Sequence, residues 1–367
     1  MRLGYFTQPV HPPAKNYGQV LRENREAALL ADDLGYAEAF FGEHITDRAE
    51  PITSNLMFIA SLCHEARNIV FGTAAVTLPS YHPAMVAAHV AMVDHMTDGR
   101  FIFGIGPGGL LSDAEMFGHL DDNRNSLMLS SIEMILNIWS DRAPYGIESG
   151  PWKASTERTL NEKIGQGIVA VPLQKPHPPI VVTAVSPDSV GITAAAARGW
   201  DPITSNYVQP HWVATHLPRY LDGLQKGGRP VSGDGWRIAK SIFVADDDRT
   251  AQEYGRSPDG PYGFYFRNIM TKLIGNGKPM IFRAYPDQPD DHITLEQSLD
   301  MQVIAGTVND VVDQILAFRE QVGQFGTLLY TGHDWLDPAL SRRSMELMAE
   351  HVMPRVNSAL GERFAAE

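Results

Sequence analysis

The feature that most constrains this chain is a repeated alternation. Short apolar runs, bounded by glycines or turns, alternate with stretches whose apolar residues recur at helical spacing. The first run is residues 3–6. A helix then covers about 19–34, with Ala27, Leu30, Ala31 and Leu34 on one face, and Gly35 stops it. Further strands read at 36–41, 69–76, 101–103, 180–184, 201–205, 236–245 and 327–331. Between them fall helices from Thr53 or Ser54, which are good N-caps, and from Pro83, whose missing N–H costs nothing in a first turn. Others read at 126–139, 189–198, 211–224, 308–322 and 338–353. Eight strands each followed by a helix predict one (β/α)₈ TIM barrel over residues 1–367.

Three stretches depart from the alternation. The loop 7–17 carries Pro9, Pro12 and Pro13. Residues 141–172 read as an irregular surface excursion rich in Gly and Pro. Residues 255–300, after strand seven, read as the largest insertion and a lid or binding loop.

A hydrophobic content of 44% in 367 residues is ample for one large core, and α/β barrels of this length run as single domains. The formal charge of −13, with no basic cluster, excludes a nucleic-acid or anionic-membrane binder. Cys63 is the one cysteine, so no intrachain disulfide forms. Met1-Arg2 leads straight into Leu3-Gly4-Tyr5-Phe6 with no signal pattern, so a cytoplasmic protein is expected. No apolar run approaches the ~18 residues of a membrane span.

In such a barrel, chemistry belongs at the C-terminal strand ends. Those ends are Phe6-Thr7, Glu43-His44, Thr73 to Val76, Gly106 to Gly109, Ala184 to Ser189, Ser205-Asn206 and Gly332-His333-Asp334. Gly104, Gly106 and Gly109 satisfy G-x-G-x-x-G, but a dinucleotide fingerprint opens the first βαβ unit. The other reading of these glycines is a barrel-mouth backbone against which a flat cofactor lies.

His44 is a candidate acid–base group, or a core histidine bonded to a carbonyl. His333 lines the pocket or packs at its strand end. His82, His89 and His95 share no face, and His333-Asp334 lacks an identified third ligand, so no metal is expected. Asn123 and Arg124 follow strand four, and an arginine fork suits a phosphate as well as it suits solvent. Ser186 and Ser189, flanking Asp188 at a helix start, form a phosphate seat or plain N-caps. Phe6 and the insertion aromatics Tyr262, Phe264, Tyr265 and Phe266 are substrate candidates, or the core of the insertion.

Several of these motifs resemble one family. Asp94-His95-Met96-Thr97-Asp98-Gly99-Arg100-Phe101, followed by Phe103-Gly104-Ile105-Gly106, is similar to the fourth-strand signature of the bacterial-luciferase-like flavin-dependent monooxygenases. Glu43-His44 matches the second-strand motif, and Gly72-Thr73-Ala74-Ala75-Val76 with Leu78-Pro79 and His82-Pro83 the third. Leu173-Gln174-Lys175-Pro176-His177-Pro178-Pro179-Ile180 resembles the entry to strand five. Gly263-Phe264-Tyr265-Phe266-Arg267 and Gly332-His333-Asp334 look like the limonene and diketocamphane subgroup.

The resemblance implies a barrel that binds reduced FMN supplied by a separate flavin reductase. The flavin reacts with O₂ at C4a, and the peroxide oxygenates a small apolar substrate such as a terpene or cyclic ketone. It also implies a homodimer through helices two and three. A non-prolyl cis peptide beneath the flavin would be Ala74-Ala75, with Thr73 and Gly106 beside the ring. His44 would act at the flavin, with His333 second. Gly106-Pro107 stands where luciferases carry a reactive cysteine and an arginine, so light emission is not expected. The alternatives are an F420-dependent oxidoreductase on the same barrel and a non-catalytic flavin-binding barrel.

Overall fold

The computed structural model describes residues 1–7 and 10–361, so Pro9 lies outside the described residues. The barrel strands are β1 (Arg2–Thr7), β2 (Glu38–Phe41), β3 (Val70–Thr73), β4 (Phe101–Gly106), β5 (Ile180–Ala184), β6 (Asp201–Thr204), β7 (Arg237–Val244) and β8 (Thr327–Thr331). Their hydrogen-bonding order is β1-β2-β3-β4-β5-β6-β7-β8, and β8 pairs back onto β1 in parallel, with Leu3 opposite Leu328. Among the described residues this is a closed ring of eight, the (β/α)₈ barrel. Every residue of β4 and β7 is buried, as expected of strands covered on both faces.

The helices start where the sequence supplies caps. The Ser54 hydroxyl accepts from Met57 N, and His82 Nδ1 accepts from Ala84 N ahead of Pro83. Two long helical expectations break at prolines. The segment 211–224 divides into Pro210–Val213 and His216–Lys226, because Pro218 has no N–H for the carbonyl four residues back. The final helix widens to a π turn at Met348–Val352 just before Pro354, then continues as Met353–Ala359.

Two loop expectations are corrected. Within 141–172 the chain forms a hairpin, Gly146–Ser149 against Trp152–Ser155, turning at Gly150 with φ +55°. The insertion 255–300 is largely helical, with helices Pro261–Gly275 and Leu295–Gln302. A further strand, Val303–Gly306, pairs in parallel with β7. Helical spacing puts Tyr262, Tyr265, Phe266, Ile269 and Leu273 in one buried cluster with Phe243 and Phe282.

The chain divides into two compact units. One comprises Met1–Phe40, Arg48–Pro51 and Val182–Glu367; the other comprises Phe41–Asp47 and Ile52–Val181. In the first, Arg237 of β7 meets Glu38 of β2 through a buried two-pronged bond, Nε to Oε2 at 2.6 Å and Nη2 to Oε1 at 3.0 Å.

In the second unit the fourth-strand signature is structural. Asp94 is fully buried and accepts from Gln174 N at 2.9 Å and Nε2 at 2.7 Å. Arg100 donates to the carbonyls of Ile69 and Ala66. A Cβ on Gly104 would lie 1.6 Å from the Thr73 carbonyl oxygen, so what approaches that backbone is the neighbouring strand. Gly104 and Gly106 lie inside β4, not in a strand-to-helix turn, which removes the dinucleotide reading. Among the described residues no helix is long and apolar enough to cross a membrane.

Candidate functional site

In the second unit, β2 ends and the chain continues through Gly42-Glu43-His44. His44 Nδ1 lies 3.0 Å from Oδ2 of Asp113, in the first turn of the short helix Leu111–Met116. The other oxygen, Oδ1, accepts from Thr46 N at 2.8 Å, Thr46 Oγ1 at 2.6 Å and Ile45 N at 3.2 Å. Burial raises the Asp113 pKa, but the bonds from His44 and Thr46 outweigh it and hold the group below the usual carboxylate range. An ionised Asp113 accepts the Nδ1 proton, which leaves Nε2 as the basic nitrogen of neutral His44.

Glu43, next in chain, has the opposite character. Its Oε1 accepts from Thr77 N at 3.0 Å and its Oε2 from Asn55 N at 3.2 Å. Burial dominates, and the pKa rises to about 7 despite those bonds, the Tyr81 hydroxyl and the His44 charge.

The Ala74-Ala75 peptide is cis, and Val76–Thr77 then pairs with the end of β4. Both side chains are small. The Thr73 hydroxyl donates to Gly104 O and accepts from Gly104 N, each at 2.8 Å, so it ties β3 to β4. Gly106 ends β4 and is buried. Asn123 is an N-cap, its Oδ1 accepting from Ser126 N at 3.1 Å. Arg124 keeps a buried Nη1 without a hydrogen-bond partner among the described residues.

In the first unit, Ser189 precedes the helix Val190–Ala197, and its hydroxyl makes no capping bond. Ser186 is exposed, and its carbonyl lies 2.9 Å from His216 Nε2. Asp188 has φ +46°, and its N–H donates to Thr215 Oγ1. The bidentate Arg219 bond, 2.7 Å at each prong, holds the Asp188 carboxyl below its ordinary range. Arg219 is therefore a cation beside the phosphate candidates that local patterning missed.

His333, two residues beyond β8, is buried. Its Nε2 lies 2.9 Å from Ser241 Oγ on β7. Tyr265 stacks on its ring at 4.0 Å between centroids, while Tyr262 meets it edge-on at 4.5 Å. Burial lowers its pKa to about 3, with the neighbouring His11 charge adding to the effect. Of the other substrate candidates, Phe6 is buried in β1, Tyr262, Tyr265 and Phe266 are buried, and Phe264 is half-buried against the same cluster.

Asp334 faces another group. Its Oδ1 is bonded to His11 Nδ1 and lies 2.8 Å from Lys15 Nζ, which also bonds Glu23 at 2.6 Å. His11, Glu23 and Asp334 each place a ligand-type atom within 4.8 Å of the other two. The positive charge between the two carboxylates is the ammonium of Lys15. Two of the three histidines weighed as metal ligands are separately engaged: His82 Nε2 with Lys153 O, and His95 Nε2 with Val171 O.

Asp113, Ser241, His11 and Lys15 were not singled out by sequence. Their partners lie 69 residues away for His44–Asp113 and 92 for Ser241–His333, beyond any local pattern.

Residues 1–324 match the luciferase-like monooxygenase family. The 4-hydroxyprotoasukamycin monooxygenase of Streptomyces nodosus subsp. asukaensis is 30% identical over 365 residues, covering 97% of this chain and 92% of that protein. The limonene 1,2-monooxygenase of Rhodococcus erythropolis is 27% identical over 369 residues, covering 98% and 88%. A solved structure of the oxygenating constituent of 3,6-diketocamphane monooxygenase from Pseudomonas putida, in complex with FMN, superposes with a TM-score of 0.86 at 25% identity. It covers 97% of this chain and 98% of that one. The barrel, the histidine at the end of β2 and these similarities lead to one conclusion: the chain is an enzyme of the luciferase-like monooxygenase family.

Proposed function

We propose that this protein is the oxygenase component of a two-component, FMN-dependent monooxygenase that oxygenates a small apolar molecule such as a terpene or cyclic ketone. The observation that carries this reading is the His44–Asp113 pair at the end of β2, an imidazole oriented by a carboxylate in a chain of this family. Reduced FMN, delivered by a separate flavin reductase, supplies the electrons that activate dioxygen.

The residues present fit such a cofactor. The small side chains of Ala74 and Ala75 suit a flat ring lying on the backbone. Within the second unit the unpartnered Nη1 of Arg124 suits an anion; within the first, Ser186 and the non-capping Ser189 hydroxyl are a separate anion candidate. In the reaction His44 takes or returns a proton through Nε2 while Asp113 stabilises its cation. Of the aromatic candidates, Tyr262 lines a cavity with Tyr5, Phe243 and Trp335, while Phe6, Tyr265 and Phe266 are buried core with Phe264 packed against it. We place the protein in the cytoplasm, consistent with its single cysteine.

The test supplies FMN, NADH and an unrelated flavin reductase under isotopically labelled dioxygen with a panel of terpenes and cyclic ketones. One labelled oxygen atom in the product is the expected result. Reduction of substrate by reduced F420 without label would overturn the reading. A homodimer through Asn55–Ala60 and Pro83–Met96 is part of the proposal, supported by Met57, Met85 and Met92, which are 74%, 54% and 59% exposed. Light scattering showing a monomer at micromolar concentration would remove it.

A further inference from the structure

The helix Leu111–Met116, between β4 and the helix Arg124–Ser140, is held to its unit by polar bonds. A barrel helix ordinarily buries an apolar stripe and leaves its charges in water. Here Met116, Phe117 and Leu120 are exposed, while the buried residues of 107–122 are Asp113 and Ala114. With Leu110 and Leu111 only half-buried, the apolar hold is slight. Oδ1 of Asp113 accepts from Ile45 N, Thr46 N and Thr46 Oγ1, and Oδ2 faces His44 Nδ1. Because the Thr46 hydroxyl hydrogen goes to that carboxylate, the Ser112 hydroxyl donates to Thr46 Oγ1, at 2.6 Å. The backbone bonds of the stretch stay inside it: Ala114 N to Leu110 O, Phe117 N to Asp113 O and His119 N to Ala114 O. Among the described residues, its hydrogen bonds to the rest of the unit therefore run through Asp113 and Ser112.

The two ends of the stretch are built to turn. Gly108 has φ +83° and Gly118 φ +74°, in the left-handed region where glycine carries no side-chain penalty. The Gly108 end abuts Thr77, just past the Ala74-Ala75 bed: a Cβ there would lie 2.7 Å from Thr77 Cγ2. A segment with glycines at both ends, little apolar burial and one carboxylate pin opens locally at low free energy.

We propose that residues 108–118 form a hinged flap at the end of β2, pinned shut by Asp113, that opens to admit and release the flavin. The inference rests on the two-component reading above, in which the protein must take up reduced FMN from a separate enzyme and give up oxidised FMN after turnover. Such a site has to open once per cycle and exclude water in between. The pin also couples the two states to the chemistry. When the flap lifts, Asp113 leaves with it, and His44 loses the carboxylate that orients its ring. His44 is therefore an oriented base in the shut state only.

The experiment uses the full chain and reads motion and binding, independently of turnover. Hydrogen–deuterium exchange is expected to be faster at the amides of 111–118 than in β4 or in Arg124–Ser140. Flap protection equal to that of those neighbours would overturn the proposal. Thr46→Val keeps both backbone donors but takes the hydroxyl from the pin, and flap exchange should rise roughly tenfold or more. Gly109→Ala places its methyl group in open space and restricts the hinge, so exchange should slow roughly two- to fivefold. Thr46→Cys with Ser112→Cys joins two side chains whose oxygens lie 2.6 Å apart, and the disulfide locks the flap shut. Stopped-flow fluorescence is expected to show FMN association and dissociation both lost in the oxidised lock and restored by a phosphine reductant. Should the disulfide not form, Gly109→Ala must slow both FMN rates in step with its exchange. FMN rates that ignore the lock or the hinge variant would overturn the proposal. A flap that exchanges as expected in a chain that binds no FMN would count against the flavin reading alone.

Discussion

His44 follows β2 and His333 follows β8, yet their neighbours set them opposite tasks. His44 is half-buried, and its Nδ1 faces an ionised Asp113 that three further donor groups hold in place. His333 is buried among aromatic rings, and its Nε2 faces a hydroxyl. A carboxylate favours the imidazolium and prepares a base, whereas burial among aromatic rings keeps the His333 imidazole neutral. A histidine at a strand end therefore has no fixed meaning; the atom bonded to its other nitrogen decides.

The largest expected effect tests the charged half of this contrast. His44→Asn keeps some hydrogen bonding but cannot move a proton. Product formed per reduced FMN should fall by roughly two orders of magnitude, with FMN binding kept within a few-fold. Reduced flavin should still be consumed, releasing hydrogen peroxide. Full coupling in the mutant, with folding confirmed by circular dichroism, would show that His44 only packs.

A smaller loss is expected from Asp113→Asn, about tenfold in rate. Without the carboxylate the imidazolium is less favoured, so the acid limb of the pH–rate profile should move to lower pH. An unmoved limb would mean that Asp113 serves Thr46 and Ile45 alone.

The third effect is on stability, not on turnover. Glu43 has its pKa raised from 4.5 to about 7, so the folded state holds a proton there that the unfolded chain has lost. Its contribution is fully present below the unfolded value and falls as pH rises through the folded one. The stability of wild type relative to Glu43→Gln should therefore drop by roughly 3 kcal/mol between about pH 4 and about pH 8. Denaturant titrations at several pH values check this, and a flat difference would place a permanent charge at Glu43.

Much of the fold was legible because it rests on local rules. The strands at Ile180–Ala184 and Thr327–Thr331 and the helix Val308–Val322 coincide with their apolar runs and periodicity. The hairpin at Gly146–Ser149 was hidden because its strands are four residues each, and only tertiary cover made their alternation meaningful. The insertion was misread because consecutive aromatics suggest a loop until the helix Pro261–Gly275 separates them by 100° steps.

The sequence by itself determined the barrel and its strand ends, because periodicity acts over a few residues, and its strand motifs carried the resemblance to the family. The tertiary structure decided which partners those strand ends received. Asp113 reached His44 across 69 residues, Ser241 reached His333 across 92, and His11 reached Asp334 across 323. Along the chain, Asp113 looks like any carboxylate in a short helix and Ser241 like any small strand residue. A hydrogen bond depends on distance and direction in space, and only the closed ring of strands supplies those.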